Sequence, residues 1–61
     1  MRNNKNIPEH VELGRVYRLI DGTPVRPQWI VRGKYRVAHA GLGRVIPGLF
    51  YRNELRNEVA L

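Results

Sequence analysis

No cysteine occurs in this 61-residue chain, and that absence constrains its folding more than any other feature. A domain of about 60 residues buries only about 60% of the surface its unfolded chain exposes, so it is marginal without a staple. Disulfides are ruled out. A structural zinc needs about four Cys or His ligands, and the sequence offers only His10 and His39, far apart. What remains is a small, tight core in a single domain, or association, of which a homodimer is the simplest form.

Lack of cysteine also fits a reducing, cytoplasmic setting. No apolar run approaches the roughly 20 residues of a membrane span. Met1 to Pro8 has no apolar h-region, so it does not read as a signal peptide. A soluble protein with no membrane partner is expected.

Eleven Lys and Arg face five Asp and Glu, a formal charge of +6. Nine of the eleven are arginine, whose planar fork matches phosphate or carboxylate bidentately. The charge is concentrated. Residues 13–52 carry eight cations against Asp21 alone, whereas residues 1–12 are neutral and 53–61 slightly acidic.

Polar, asparagine-rich Met1–Asn6 leads into Ile7-Pro8, and residues 1–8 read as a flexible arm ahead of one β-rich domain over 9–61. Leu13 to Ile20 is rich in β-branched, aromatic and long apolar residues and ends at Asp21-Gly22, so a strand and a turn are expected. Thr23 to Pro27 holds two prolines and reads as a connector or sheet edge. Gln28 to Ala38 alternates with period two and has two readings. It is one long strand bulged at Gly33, or a hairpin turning at Gly33-Lys34 in a type II′ turn. Strands average five to six residues, which favours the hairpin. His39 to Gly43 reads as a loop, with short strands at Arg44–Pro47 and Leu49–Tyr51. Asn53 to Leu61 reads as a short helix, capped by Asn53 and docked through Leu55 and Val59.

The sum is a mostly β protein of four or five short strands with a short C-terminal helix. It resembles an SH3-like small barrel or a curled antiparallel sheet. That likeness is of fold and carries no function.

Arg32, Lys34 and Arg36 alternate, so on one strand they project together about 6.5–7 Å apart. Alternating charge also suits a solvated face that guards an edge. With Arg15, Arg18, Arg26, Arg44 and Arg52 in the same stretch, an anion-binding surface is the better reading. Among the aromatics, Trp29 and Phe50 are expected in the core. Tyr17, Tyr35 and Tyr51 are the candidates for exposure, and Tyr35 joins the candidate site. There is no RNP-like pattern. The glycines of His39–Arg44 do not lead into a helix, so that segment reads as turn chemistry.

Catalysis is poorly provided for. The chain has no cysteine or serine, Thr23 has no histidine neighbour in sequence, and the five acids lie mostly in the flanks. No enzyme, cofactor or metal is expected. The expected function is a small basic nucleic-acid-binding protein, an accessory or regulatory factor of phage or mobile-element type. Its expected contacts are Arg15, Arg18, Arg26, Arg32, Lys34, Arg36, Arg44 and Tyr35. The alternative is a compact regulator or inhibitor that docks its basic face on an acidic protein surface.

Overall fold

The computed structural model describes residues 6–58. Four strands, β1 (Tyr17–Leu19), β2 (Pro24–Val31), β3 (Lys34–His39) and β4 (Leu55–Asn57), form one open antiparallel sheet in the order β3-β2-β1-β4. The protein is mostly β, as the Gly/Pro-punctuated short apolar runs imply. Met1 to Lys5 of the expected arm lie outside the described residues, while Pro8 is buried and its carbonyl accepts a 2.7 Å hydrogen bond from Arg52.

The strand expected over Leu13–Ile20 is shorter, because Leu13 and Gly14 turn and the Gly14 N–H donates to the Pro27 carbonyl at 2.8 Å. The Asp21-Gly22 turn joins β1 to β2 as expected. There the Gly22 N–H reaches the Leu19 carbonyl at 2.8 Å, and Asp21 Oδ1 accepts from the Thr23 N–H at 3.0 Å.

Thr23–Pro27 is not a connector, since β2 begins at Pro24 and lies inside the sheet between β1 and β3. It tolerates its prolines because β1 pairs only with Pro24 and Val25, leaving Pro27 a ladder partner on one side alone. Proline has no N–H to give the ladder. Immediately after it the register slips: Pro27 faces Val37, but Trp29 faces Arg36. Gln28 is thus the extra residue of a β-bulge, and every side chain after it changes face.

The hairpin reading holds, with its turn one residue earlier than expected. Val31 pairs with Lys34 across Arg32-Gly33. Both central residues have positive φ, Arg32 at 54° and Gly33 at 79°, as a type I′ turn requires. Arg32 therefore occupies the tip, and Lys34 opens β3.

Beyond β3 the chain returns through residues 44–50 and touches that strand at two isolated antiparallel bridges, Ala38–Val45 and Tyr35–Phe50. The Tyr35 N–H donates to the Phe50 carbonyl at 2.7 Å, and the Tyr35 carbonyl accepts from the Phe50 N–H at 2.9 Å. Pro47 lacks a donor, and Gly48 sits at φ 96°, so the two strands expected here shrink to these bridges.

The expected C-terminal helix is absent from the described residues. Arg52–Glu54 makes a single 3₁₀ turn, and Leu55–Asn57 then pairs with β1 as β4. A nine-residue helix has little intrinsic stability, whereas the open edge of β1 satisfies the backbone and buries Leu55 opposite Leu19. Tyr51, not Asn53, precedes the turn, its N–H donating to Glu54 Oε1 at 2.8 Å. Val59 and Leu61 lie outside the described residues.

One sheet face carries the core of Tyr17, Val25, Val37 and Leu55, with Val11, Leu19, Tyr35, Ile46 and Phe50 packed against it. Tyr17, expected to be exposed, is only 2% exposed. Its hydroxyl is satisfied inside, accepting from the Glu12 N–H at 2.9 Å and donating to the His10 carbonyl at 3.4 Å. That is how a small core admits a tyrosine.

Candidate nucleic-acid interface

Successive strand residues point to opposite faces, and cross-strand partners share one. Val37 is in the core, so Lys34, Arg36 and Ala38 belong to the outer face of β3. Their partners in β2 are Val31, Trp29 and Arg26. On the open side of β3, Phe50 lies against the core, which turns Tyr51 outward. The Lys34 ammonium sits 5.1 Å from the centre of the Tyr51 ring, a cation–π distance. The outer face of the hairpin is thus a continuous band of Arg26, Trp29, Arg36, Lys34 and Tyr51.

Trp29, expected in the core, is 49% exposed, and Tyr51 is 54% exposed. The bulge at Gln28 is the physical reason for the first: without it Trp29 would share the inward parity of Val25 and Pro27. Phe50 is half-buried against the core. Tyr35 is also half-buried against it, on the face opposite Lys34 and Arg36.

Two arginines face glutamates; the other described ones, among them Arg52 and Arg56, which donate to backbone carbonyls, do not. Arg15 is bridged to Glu12 at 3.3 Å. Arg18 donates to the Gly22 carbonyl at 2.8 Å and reaches Glu58 at 3.5 Å. Both pairs are exposed and worth little energetically, yet they lower the local positive potential. Arg26, Arg32, Lys34, Arg36 and Arg44 have no carboxylate within ion-pair distance among the described residues. Residues 22–53, which hold the hairpin and the following loop, contain no acid at all. Arg26 keeps one contact, Nη1 donating to the Ala40 carbonyl at 3.2 Å. A bound anion would relieve repulsion within this group.

His39 organises the loop that leads to Arg44. Its Nδ1 accepts from the N–H groups of Gly41 at 3.0 Å and Leu42 at 3.1 Å, and the Arg44 carbonyl accepts from the His39 N–H at 2.7 Å. The segment is turn chemistry, as read from the sequence, and it holds the Arg44 backbone beside the end of β3.

Two shallow clefts lie away from the hairpin band. One of about 260 Å³ is lined by Leu19, Ile20, Asp21, Phe50 and Glu54. The other, about 440 Å³, is lined by Arg15, Val16, Tyr17, Asn57 and Glu58. Hydrogen bonds from Thr23, its backbone N–H first, hold the fully exposed Asp21 carboxyl below the usual aspartate range. Among the described residues no three of His, Asp and Glu gather into a metal-holding group, and no helix is long and apolar enough to cross a membrane.

Sequence reasoning missed Trp29 and misplaced Lys34. The signal for the first was Pro27: a proline inside an alternating run withholds a ladder donor and marks where the alternation changes phase. No protein-family model, curated protein or solved structure matches the chain.

Proposed function

We propose that this chain is a small nucleic-acid-binding protein that holds phosphates on the outer face of its β2–β3 hairpin. Arg26, Lys34 and Arg36 lie on that face, Arg32 at its tip and Arg44 in the loop beside it. The observation that carries the reading is the division of the cations: the acid-free stretch 22–53 holds six without a carboxylate partner among the described residues, five on or beside the hairpin and Arg52 donating to the Pro8 carbonyl, while Arg15 and Arg18 sit against glutamates. Phosphate contacts of this kind position a polyanion and read little sequence. The role is that of an accessory or regulatory factor of phage or mobile-element type, acting in the cytoplasm without a cofactor and without catalysing a reaction.

An SH3-like small barrel is the fold that goes with this reading. Support comes from the chain touching β3 at Val45 and Phe50 and then passing through a 3₁₀ turn to the opposite edge of the sheet at β4.

Docking on an acidic protein surface is the second reading, favoured by the half-exposed Trp29 and Tyr51 beside arginines, residue types enriched at binding hot spots. Fluorescence anisotropy with labelled duplex DNA, single-stranded DNA and RNA separates the two. Five phosphate contacts give a log–log salt slope of about −4.5 on duplex or −3.5 on single strands, so affinity falls about 500-fold or 130-fold between about 50 and 200 mM salt. Binding weaker than roughly 10⁻⁴ M to all three at low salt would exclude the nucleic-acid reading.

A further inference from the structure

We propose that the outer face of the hairpin takes single-stranded nucleic acid, with unpaired bases stacked on Trp29 and Tyr51. This rests on the nucleic-acid reading above and narrows it to one form of the polymer.

The core leaves out two large aromatic side chains. Its fully buried members are Tyr17, Val25, Val37 and Leu55, and a domain of this size needs its large side chains inside. The only tryptophan is nevertheless half in solvent, together with Tyr51. Both aromatics stand on the same face as the cations. They flank β3: Trp29 opposite Arg36 on one side, Tyr51 beneath the Lys34 ammonium on the other. Strand spacing of about 4.8 Å and a rise of about 3.3 Å per residue put their Cα atoms about 12 Å apart. The face therefore reads aromatic, two cations, aromatic.

That order fits a splayed strand. Bases in a duplex keep their π-faces within the stack, and only unpaired bases can lie on a protein aromatic ring. The phosphates between two stacked bases then fall over Arg36 and Lys34, and the Lys34 ammonium exchanges the Tyr51 ring for a phosphate. Sequence preference is weak, because every base has a π-face.

Trp29 is the only tryptophan, so intrinsic fluorescence reports on this contact alone. The test titrates the whole protein at low salt with a single-stranded oligonucleotide and with the matched duplex. Variant affinities are read by anisotropy of the labelled strand. Expected are quenching of Trp29 by the single strand, tighter binding of that strand than of the duplex, and a loss of about 5- to 150-fold for Trp29→Ala or Tyr51→Ala. Trp29→Phe should retain much of the affinity. Circular dichroism confirms that each variant is folded. Salt-dependent binding that favours the duplex, or that is unchanged by Trp29→Ala and Tyr51→Ala in folded protein, overturns the stacking proposal and leaves the phosphate reading standing. Binding to neither polymer overturns both.

Discussion

Trp29 stands opposite Arg36 on the outer face of the hairpin, while Pro27, two residues earlier, stands opposite Val37 in the core. One extra residue, Gln28, separates the two phases. The largest side chain of the protein is thereby presented among cations, on the face opposite the core.

That separation is measurable in denaturation. Trp29 keeps half its surface in water, so Trp29→Ala should cost clearly less than truncation of a fully buried residue. Leu55→Ala empties a fully buried site and should cost about 2–5 kcal/mol, a large share of the stability of a small domain. Urea unfolding followed by circular dichroism checks both. A large loss for Trp29→Ala would mean that the indole belongs to the core.

Arg32 holds φ at 54°, a left-handed conformation that costs a residue with a Cβ about 1–2 kcal/mol. Asn-Gly is the preferred pair for this turn. Arg32→Asn should therefore raise stability by roughly 0.5–1 kcal/mol and the melting temperature by about 4 °C. On the proposed function the same change also removes a phosphate contact, and should make the salt slope shallower by about 0.7–0.9. A more stable protein with weaker, less salt-sensitive binding is the expected combination, read by thermal melts and anisotropy titrations on one sample.

Asp21 gives a pH dependence of definite sign. Its folded-state carboxyl is held below the usual value of 3.8 by the Thr23 N–H. The contribution is fully present above that value and is lost as pH falls through the lower, folded one. Asp21→Asn keeps an acceptor oxygen for Thr23 and has no charge to lose. Comparing urea midpoints of the two proteins from about pH 6 to pH 2, the native protein should lose ground relative to Asp21→Asn only below about pH 4. A constant difference across that range would show that the hydrogen bond does not shift the titration.

Much of the architecture is legible in the sequence. The Asp21-Gly22 turn, the hairpin around Gly33 and the mostly β class all follow from alternation and turn chemistry. The concentration of charge in residues 13–52 is read directly from composition along the chain. What fails does so at points where a local rule meets a tertiary alternative. The pattern at Asn53–Leu61 suits a helix, but the open edge of β1 offers Leu55 burial and backbone partners together. Tyr17 looks amphipathic enough for the surface, but the carbonyl of His10 and the N–H of Glu12 reach its hydroxyl inside. Trp29 follows the apolar parity only until Pro27 interrupts the ladder. Arg32, Lys34 and Arg36 do not line one strand, because placing the turn one residue earlier moves Arg32 to the tip and leaves Lys34 and Arg36 on β3.

The central claim, that the hairpin and not the whole basic surface holds the anion, is tested most directly by comparing salt slopes for two double variants. Arg32→Gln with Arg36→Gln removes two cations of the acid-free stretch. Arg15→Gln with Arg18→Gln removes two that already face glutamates. Anisotropy titrations of a labelled single strand from about 50 to 200 mM salt should show the first slope shallower by about 1.4, since each lost phosphate contact removes about 0.7, and the second nearly unchanged. Equal changes in the two variants would mean that charge is felt diffusely, and would contradict a phosphate-binding face on β2–β3.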